Sequence, residues 1–591
     1  MRLRQTNLKP FQLLHCKKQF LPERAPKVTL RRLNPQKRWL VYLVLGVFSA
    51  LISTMPVTAA ERIYFIYSPL SLSLRVQSLE LFAKQGEVNQ DLQFYFDRIG
   101  TSQQEQEAFR QALLEKAQLE PVLLSRLFNS DIGEALLDNF GKIINIQGGR
   151  NGKYALRAAL IQAAFEPEGL TLLNFLKKLP VNMQIDLSQA RALSKAFKTV
   201  VRATTEFTAD IAELSQQEAL ATPALNFSTL TDLRQPGSYG VQKKETWQLF
   251  DQSRNRHFYV DVYKPQRWLP GKTPVVIFSH GLASRPEDYA AQAQHLASYG
   301  YVIALPDHPG SDYNRVTALI EGYQSDIFDK NEFIDRPKDI SYVIDELQRR
   351  NLSEFGGRLN LDAVGVAGHS FGGYTALAVA GATFDFKYLR HECQAQFSYL
   401  NISLLLQCQA LKLPQIDYNF RDERVKAVFV ANPVNSGVFG PQGLAKIAIP
   451  VFLAAGTYDP ATPVIFEQAR SFPWLLVSQK YFLVIEGQAH VDFSQLDAGI
   501  TDLIESVENL TLPSPYLINS YANAMFTAFF EVYLQNNSSY LPYLQSDYCR
   551  YLSEGEQFKC YLITAASSKI LAKEIEQFYA KNSFLNGLQL R

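Results

Sequence analysis

The chain has 591 residues, 47% hydrophobic and 20% charged, which supplies material for a large buried core and excludes disorder as its dominant state. The formal net charge is +2, but residues 1–60 hold eleven Lys or Arg against one acid, Glu23, and the remainder carries 48 basic and 56 acidic residues, a net −8. A body with that balance gives no support for nucleic-acid binding and disfavours long-range attraction to anionic lipid.

The basic stretch ends in Lys37-Arg38 and runs into the apolar segment 39–52, WLVYLVLGVFSALI, then Pro56 and Val57-Thr58-Ala59-Ala60. Fourteen apolar residues make a helix of about 21 Å, shorter than a membrane core of roughly 30 Å. A basic region, a short apolar region and small residues at the cut site are the layout of an export signal. Residues 1–60 are therefore expected to be a signal peptide cut near Ala59 or Ala60, with an uncut N-terminal anchor to the inner membrane as the alternative. Either way the body is exported, to the periplasm or beyond.

Residues 61–215 read as a small, mainly helical domain. Leu70, Leu72, Leu74 and Val76 alternate as in a strand, and a helical pattern follows from Ser78 to a stop at Gly86. Leu193, Phe197, Val200 and Val201 recur at helical spacing behind a cap at Asp186 or Ser188, predicting an amphipathic helix with one buried stripe. No cluster of Ser, His, Cys or acid suggests chemistry here, and a packing or partner module is expected. Residues 216–242, with Pro236-Gly237 and no sustained period, are expected to be a linker.

Residues 243–535 change character. A hairpin-like stretch at 247–249 and 257–263 precedes short apolar runs at 274–279, 301–305, 363–367, 425–430, 450–455 and 480–485. Helical patterns at 287–299, 337–349 and 371–381 lie between them. Strands alternating with helices predict an α/β fold, a mostly parallel sheet covered by helices, because parallel pairing needs crossovers and the crossovers bury the sheet. Residues 536–591 are expected to be a C-terminal extension.

Gly368-His369-Ser370-Phe371-Gly372, with Gly373 after it, lies between a strand and a helical run. That context suits a nucleophile elbow, a turn so tight that the serine is strained and its flanking positions must be glycine. It places Ser370 at a helix N-terminus, where free N–H groups favour a developing anion. A serine hydroxyl needs a base oriented by an acid, in the chain order Ser, acid, His. Only His391 and His490 follow Ser370, and His490 comes after the last apolar strand, so it is the expected base. Asp459, after the strand 451–455, is the expected acid, with Asp492 as its rival two residues from His490. The N–H groups of Phe371 and of Leu282, in Phe278-Ser279-His280-Gly281-Leu282, are the expected oxyanion donors. His280 and His369 are expected to brace these loops.

Loops leaving strand carboxyl ends face the substrate in open α/β sheets. Residues 309–336 and 433–449 are therefore candidate pocket walls, with Tyr313, Tyr323, Phe328 and Phe333 as candidate acyl-site aromatics. The insert 383–422 starts at the opposite end of the sheet and would have to climb back to act as a lid. Without Cys16 of the leader, Cys393, Cys408, Cys549 and Cys560 remain, and spacings of fifteen and eleven residues favour Cys393–Cys408 and Cys549–Cys560 disulfides. No Cys-x-x-Cys or histidine cluster suggests zinc.

These local patterns, together with the Ala489-His490 loop ending in Phe493, resemble the serine alpha/beta hydrolases akin to plasma-type platelet-activating-factor acetylhydrolase and bacterial predicted dienelactone hydrolases. The resemblance covers about residues 236–535 and implies esterase or lipase-like activity, with Ser370 as nucleophile, His490 as base, and Leu282 and Phe371 as oxyanion donors. In the acetylhydrolase the acid follows the strand after the elbow helix, which here reads Ala431-Asn432-Pro433 without a carboxylate. Phospholipid specificity is therefore not carried over. Residues 61 to about 190 look like an uncharacterised domain found ahead of such hydrolases in bacteria.

The expectation is an exported serine hydrolase of carboxylic esters acting through Ser370, His490 and Asp459 on a small-molecule or lipid ester, with no metal or organic cofactor required. Alternatives are a lipase or phospholipase at a membrane surface, or a non-catalytic binding protein on a hydrolase scaffold.

Overall fold

The computed structural model describes residues 59–585 except 118, 396–397 and 491–511. The leader up to residue 58, with Cys16, and the segment holding Asp492 and Phe493 lie outside the described residues.

Nine strands form the main sheet: β1 Glu245–Asp251, β2 Arg256–Tyr263, β3 Thr273–Ser279, β4 Val302–Pro306, β5 Leu359–His369, β6 Val425–Ala431, β7 Val451–Gly456, β8 Lys480–Ile485 and β9 Cys560–Thr564. Their order is β9-β8-β7-β6-β5-β3-β4-β2-β1. Strands β3 to β8 pair in parallel. The pairs β1–β2, β2–β4 and β8–β9 are antiparallel. Each of the six apolar runs read from the sequence is one of β3 to β8.

The helices that cover the sheet are α1 Leu187–Ala221, α2 Ala290–Ser298, α3 Glu332–Phe355, α4 Phe371–Val379, α5 Phe386–Gln394, α6 Pro515–Leu534 and α7 Ser568–Lys581. Successive strand residues point to opposite faces. Val275 and Ile277 of β3 accordingly join a core with α1, α3, α4 and α7, while Val276 and Phe278 join a second core with α2 and α6. Both faces are covered, which is why the strands are continuous apolar runs instead of alternating ones.

Ahead of this lies a smaller, mainly helical unit, as expected, built on a five-stranded sheet. Arg62–Tyr67 and Leu70–Arg75 form an antiparallel pair in that sheet. The helix Val76–Gln85 follows and stops at Gly86, whose φ of 73° suits glycine. Ile63, Leu74, Leu79, Phe82, Leu92 and Phe96 make its own core.

The structure departs from expectation in several places. First, the boundary drawn between 215 and 216 falls inside α1, a 35-residue helix whose N-terminus is capped by the Asp186 carboxylate. Second, the buried stripe of α1 is Ala196, Thr199, Ala203, Phe207, Ile211 and Leu214. Phe197 and Val201 are 59% and 52% exposed, because close approach to the sheet selects small residues that a search for bulky apolar ones passes over. The segment taken as a linker also packs, with Phe227 and Leu233 buried in the second core.

Third, the described part of the expected extension, residues 536–585, belongs to the fold: β9 pairs with β8, matching Phe482 to Ile563, and α7 packs below it. The outward N–H groups of β9 are themselves capped from α1, Leu562 donating to Ser215 Oγ and Thr564 to the Glu218 carboxylate. An otherwise open sheet edge is thereby closed. Fourth, Cys393 and Cys408 are disulfide-bonded, but Cys549 and Cys560 are free and buried. Cys560 Sγ donates to the Cys549 carbonyl at 3.4 Å, so the thiol is satisfied without a second sulfur.

Candidate active site

The site is assembled from the carboxyl ends of four strands. β5 ends at His369, and Ser370 follows with φ 55° and ψ −118° before α4 begins. A Cβ on Gly372 would stand 1.9 Å from the Ser279 carbonyl oxygen, and one on Gly368 2.1 Å from the Gly372 carbonyl oxygen. Both glycines are therefore required for the chain to turn this sharply.

Ser370 Oγ lies 2.8 Å from His490 Nε2, and His490 Nδ1 lies 2.7 Å from Asp459 Oδ2. Asp459 follows β7 and His490 follows β8, so three residues distant in sequence meet in one hydrogen-bonded row. Asp459 is 5% exposed and accepts further bonds from the Ala461 and Thr462 N–H groups, Thr462 Oγ1 and Asn432 Nδ2. Burial alone would raise its carboxyl, but the charge and hydrogen bond of His490 and the Thr462 donors outweigh it and hold it at about 2. An ionised acid against Nδ1 leaves Nε2 free to accept the serine proton.

Leu282 follows β3 in the loop that starts at His280, and among the described residues neither its N–H nor that of Phe371 has a hydrogen-bond acceptor. Leu282 is followed by Ala283 at φ 62°, whose N–H is tied to the Ser311 carbonyl. A Cβ built on Gly281 would sit 3.4 Å from Ser370 Cβ, which puts this loop against the serine.

His280 and His369 both hydrogen-bond to the loops around the serine. His369 Nδ1 takes a hydrogen bond from Tyr289 Oη at 3.0 Å, and the ring is also bonded to the His490 backbone. Burial, then repulsion from His490, push its imidazole down to about 3, so it is neutral. Of the aromatics suggested for an acyl site, Phe328 and Phe333 are buried against Phe371 instead, and Tyr313 and Tyr323 are 51% and 80% exposed. His391 lies on α5 beside Glu392.

The insert 383–422 does climb back. Asn401, Ser403 and Gln407 all donate to Glu467 Oε1, and the other carboxylate oxygen accepts the Asn435 and Ser436 N–H groups just beyond β6. The disulfide-bearing insert is thus fastened to the loops that leave β6 and β7. Asn432, Thr462, Tyr289 and Glu467 were not picked out from sequence as site residues. Only Asn432 carried a signal, its place at a strand carboxyl end where the resembled family holds an acid.

The sheet order, the elbow at the end of β5 and the serine, carboxylate and imidazole beyond the ends of β5, β7 and β8 define an alpha/beta-hydrolase fold. A family model described as alpha/beta hydrolase of unknown function (DUF1400) matches residues 59–186, and a chlorophyllase family model matches residues 231–398. The first match lies on the smaller N-terminal unit. The second spans β1 to β5 with the Leu282 loop and the elbow, and ends before Asp459 and His490. No curated protein matches the chain.

Proposed function

We propose that this hydrolase cleaves carboxylic esters by acyl transfer through Ser370. The observation that carries the reading is the unbroken row from Ser370 Oγ through His490 to Asp459, beside two N–H groups that have no acceptor among the described residues. His490 Nε2 takes the serine proton as Oγ adds to the ester carbonyl, and the resulting oxyanion lies against the Leu282 and Phe371 N–H groups. The imidazolium then protonates the leaving alkoxide. Water enters, gives its proton to His490 and adds to the acyl carbon, and Ser370 leaves with that proton. Asp459 holds the imidazole tautomer and stabilises its charged form throughout.

Export belongs to the same proposal. It is supported by the basic and apolar leader and by the Cys393–Cys408 disulfide, which persists in oxidising compartments. The acetylhydrolase-like motifs favour an ester over an amide substrate, and the chlorophyllase model match supports a hydrolase.

A fluorophosphonate probe tests the chemistry. It should label the wild-type protein and leave Ser370→Ala unlabelled; correctly folded wild type that takes no label would overturn the assignment. Asp459→Asn should lower kcat by about 10⁴, as loss of the acid does in the protease template. The same loss from Asp492→Asn instead would transfer the acid's role to that residue.

A further inference from the structure

A buried guanidinium lies behind the oxyanion loop. Arg336, near the start of α3, is fully buried and donates from Nη1 to the His280 carbonyl at 2.6 Å and from Nη2 to the Gly281 carbonyl at 3.2 Å. Its Nε donates to Ser311 Oγ at 2.8 Å, and its plane lies over the Phe371 ring, 4.6 Å from the centroid. Arg336 therefore reaches both expected oxyanion donors, Leu282 through the preceding carbonyl and Phe371 through its side chain.

The Gly281 carbonyl belongs to the same peptide plane as the Leu282 N–H. In a trans peptide the two point in opposite directions, so fixing the carbonyl aims the N–H. A second donor fixes it too: His280 Nδ1 lies 2.7 Å from the same oxygen. The tautomer is settled by His280 Nε2, which accepts the His308 N–H at 3.0 Å and leaves the proton on Nδ1. On the other side of the glycine, the Gly281 N–H donates to Tyr289 Oη at 3.2 Å. Donors at the carbonyl also polarise the amide, which strengthens its N–H as a donor.

We infer that Arg336, with His280, is a positioning residue for the oxyanion hole, aiming the Leu282 N–H at the reacting carbonyl by gripping the Gly281 carbonyl from behind. The inference rests on the serine-hydrolase reading above. Arg336 stays charged at neutral pH, since burial lowers it only to about 10. Its removal leaves Glu332 still paired with Arg256 at 2.8 Å, so the network loses one member and keeps its remaining ion pairs.

Kinetics of Arg336→Met and Arg336→Lys on p-nitrophenyl acetate, read beside thermal melting, test this. Loss of an oxyanion donor costs about 10² to 10³ in kcat, and a misaimed one should cost about 10- to 10²-fold, with KM changed less than about threefold. A lysine side chain keeps the charge but cannot fork to two carbonyls, so Arg336→Lys should fall nearly as far as Arg336→Met. Should Arg336→Met fail to fold, His280→Leu against His280→Asn gives the same reading: the Asn variant keeps an N–H donor and should lose less kcat. A trifluoromethyl ketone, which forms a tetrahedral oxyanion on the serine, should lose affinity in parallel with kcat/KM. Folded Arg336→Met or His280→Leu with kcat within threefold of wild type overturns the inference while the fluorophosphonate result stands. Absence of label on wild type removes both.

Discussion

Asn432 and His490 share one oxygen of Asp459: Asn432 Nδ2 donates to Oδ2 at 2.5 Å, and His490 Nδ1 lies 2.7 Å from the same atom. Asn432 follows β6 at φ 45°, so a residue that tolerates the left-handed region stands where its amide can reach the acid on the neighbouring strand. A hydrogen bond to a charged group contributes about 1.5–3 kcal/mol. Asn432→Ala should therefore lower kcat by about 10- to 10²-fold, since each factor of ten corresponds to about 1.4 kcal/mol. Asn432→Asp sets two carboxylates together, and one of them must hold a proton to higher pH. Its deficit should be larger at pH 6 than at pH 8.5. Profiles of kcat against pH for both variants check this, and an Asn432→Ala profile that overlays wild type would show that the amide does not matter.

Two glycines near the serine should behave differently. A Cβ on Gly372 meets backbone at 1.9 Å, with no flexible atom to yield, so Gly372→Ala should not give folded protein. On Gly281 the nearest atoms are His369 Nδ1 at 3.2 Å and Ser370 Cβ at 3.4 Å. Gly281→Ala should fold and lose kcat by crowding the nucleophile. Circular dichroism and turnover on a soluble ester separate the two outcomes; a folded, active Gly372→Ala would contradict the elbow geometry.

The elbow, Asp459 and His490 were legible because the chemistry requires particular residue types just beyond particular strands, and β3 to β8 announce themselves as apolar runs. What escaped lies in side chains whose partners are far away in sequence. Arg336 and Glu467 are ordinary charged residues until the fold buries them, one against the Gly281 carbonyl and the other beneath Asn401, Ser403 and Gln407. The α1 face was misread for a related reason. Its contact surface is built partly from Ala196, Thr199 and Ala203, which carry little hydrophobic signal.

Because α1 serves both units, the place of truncation should matter. Phe207, Ile211 and Leu214 are buried in the hydrolase core, and Phe207 lies 6.2 Å, centroid to centroid, from Phe482 of β8. Three such side chains contribute about 1.5–3 kcal/mol each, comparable in sum with a whole domain's stability of about 5–15 kcal/mol. Their loss would also uncover the β9 N–H groups now held by Ser215 and Glu218. A chain beginning at Asp186 should be soluble and react with the probe, and one beginning at Thr222 should aggregate. Size-exclusion chromatography of the two decides it; a monomeric, reactive chain from Thr222 would show α1 to be dispensable.

Cysteine status gives a covalent check. Peptide mapping after alkylation in denaturant without reductant should find Cys393 joined to Cys408, with Cys549 and Cys560 both alkylated. Replacing Cys393 and Cys408 by Ser together should cost about 3 kcal/mol, the chain-entropy expectation for a loop near fifteen residues. A Cys549–Cys560 linked peptide from freshly prepared protein would contradict the structure.

His295 on α2 provides a pH test away from the serine. It is 6% exposed, its Nε2 has no hydrogen-bond partner among the described residues, and burial pushes its imidazole down to about 4 against a backbone hydrogen bond to Leu233. The unfolded chain takes up that proton below about pH 6.5, whereas the fold refuses it until about pH 4. Between these values the unfolded state binds more protons, so stability must fall as the pH drops through the window. His295→Gln keeps an N–H for Leu233 but does not titrate. Groups such as Asp307, raised to about 7 by burial, titrate in both proteins and cancel in the comparison. The difference in unfolding free energy should be flat above pH 6.5 and shift against wild type by at most about 1.4 kcal/mol per unit between 6.5 and 4. Urea midpoints at pH 7.5, 6, 5 and 4 measure it, and parallel curves for the two proteins across that range would show that the imidazole is protonated within the fold.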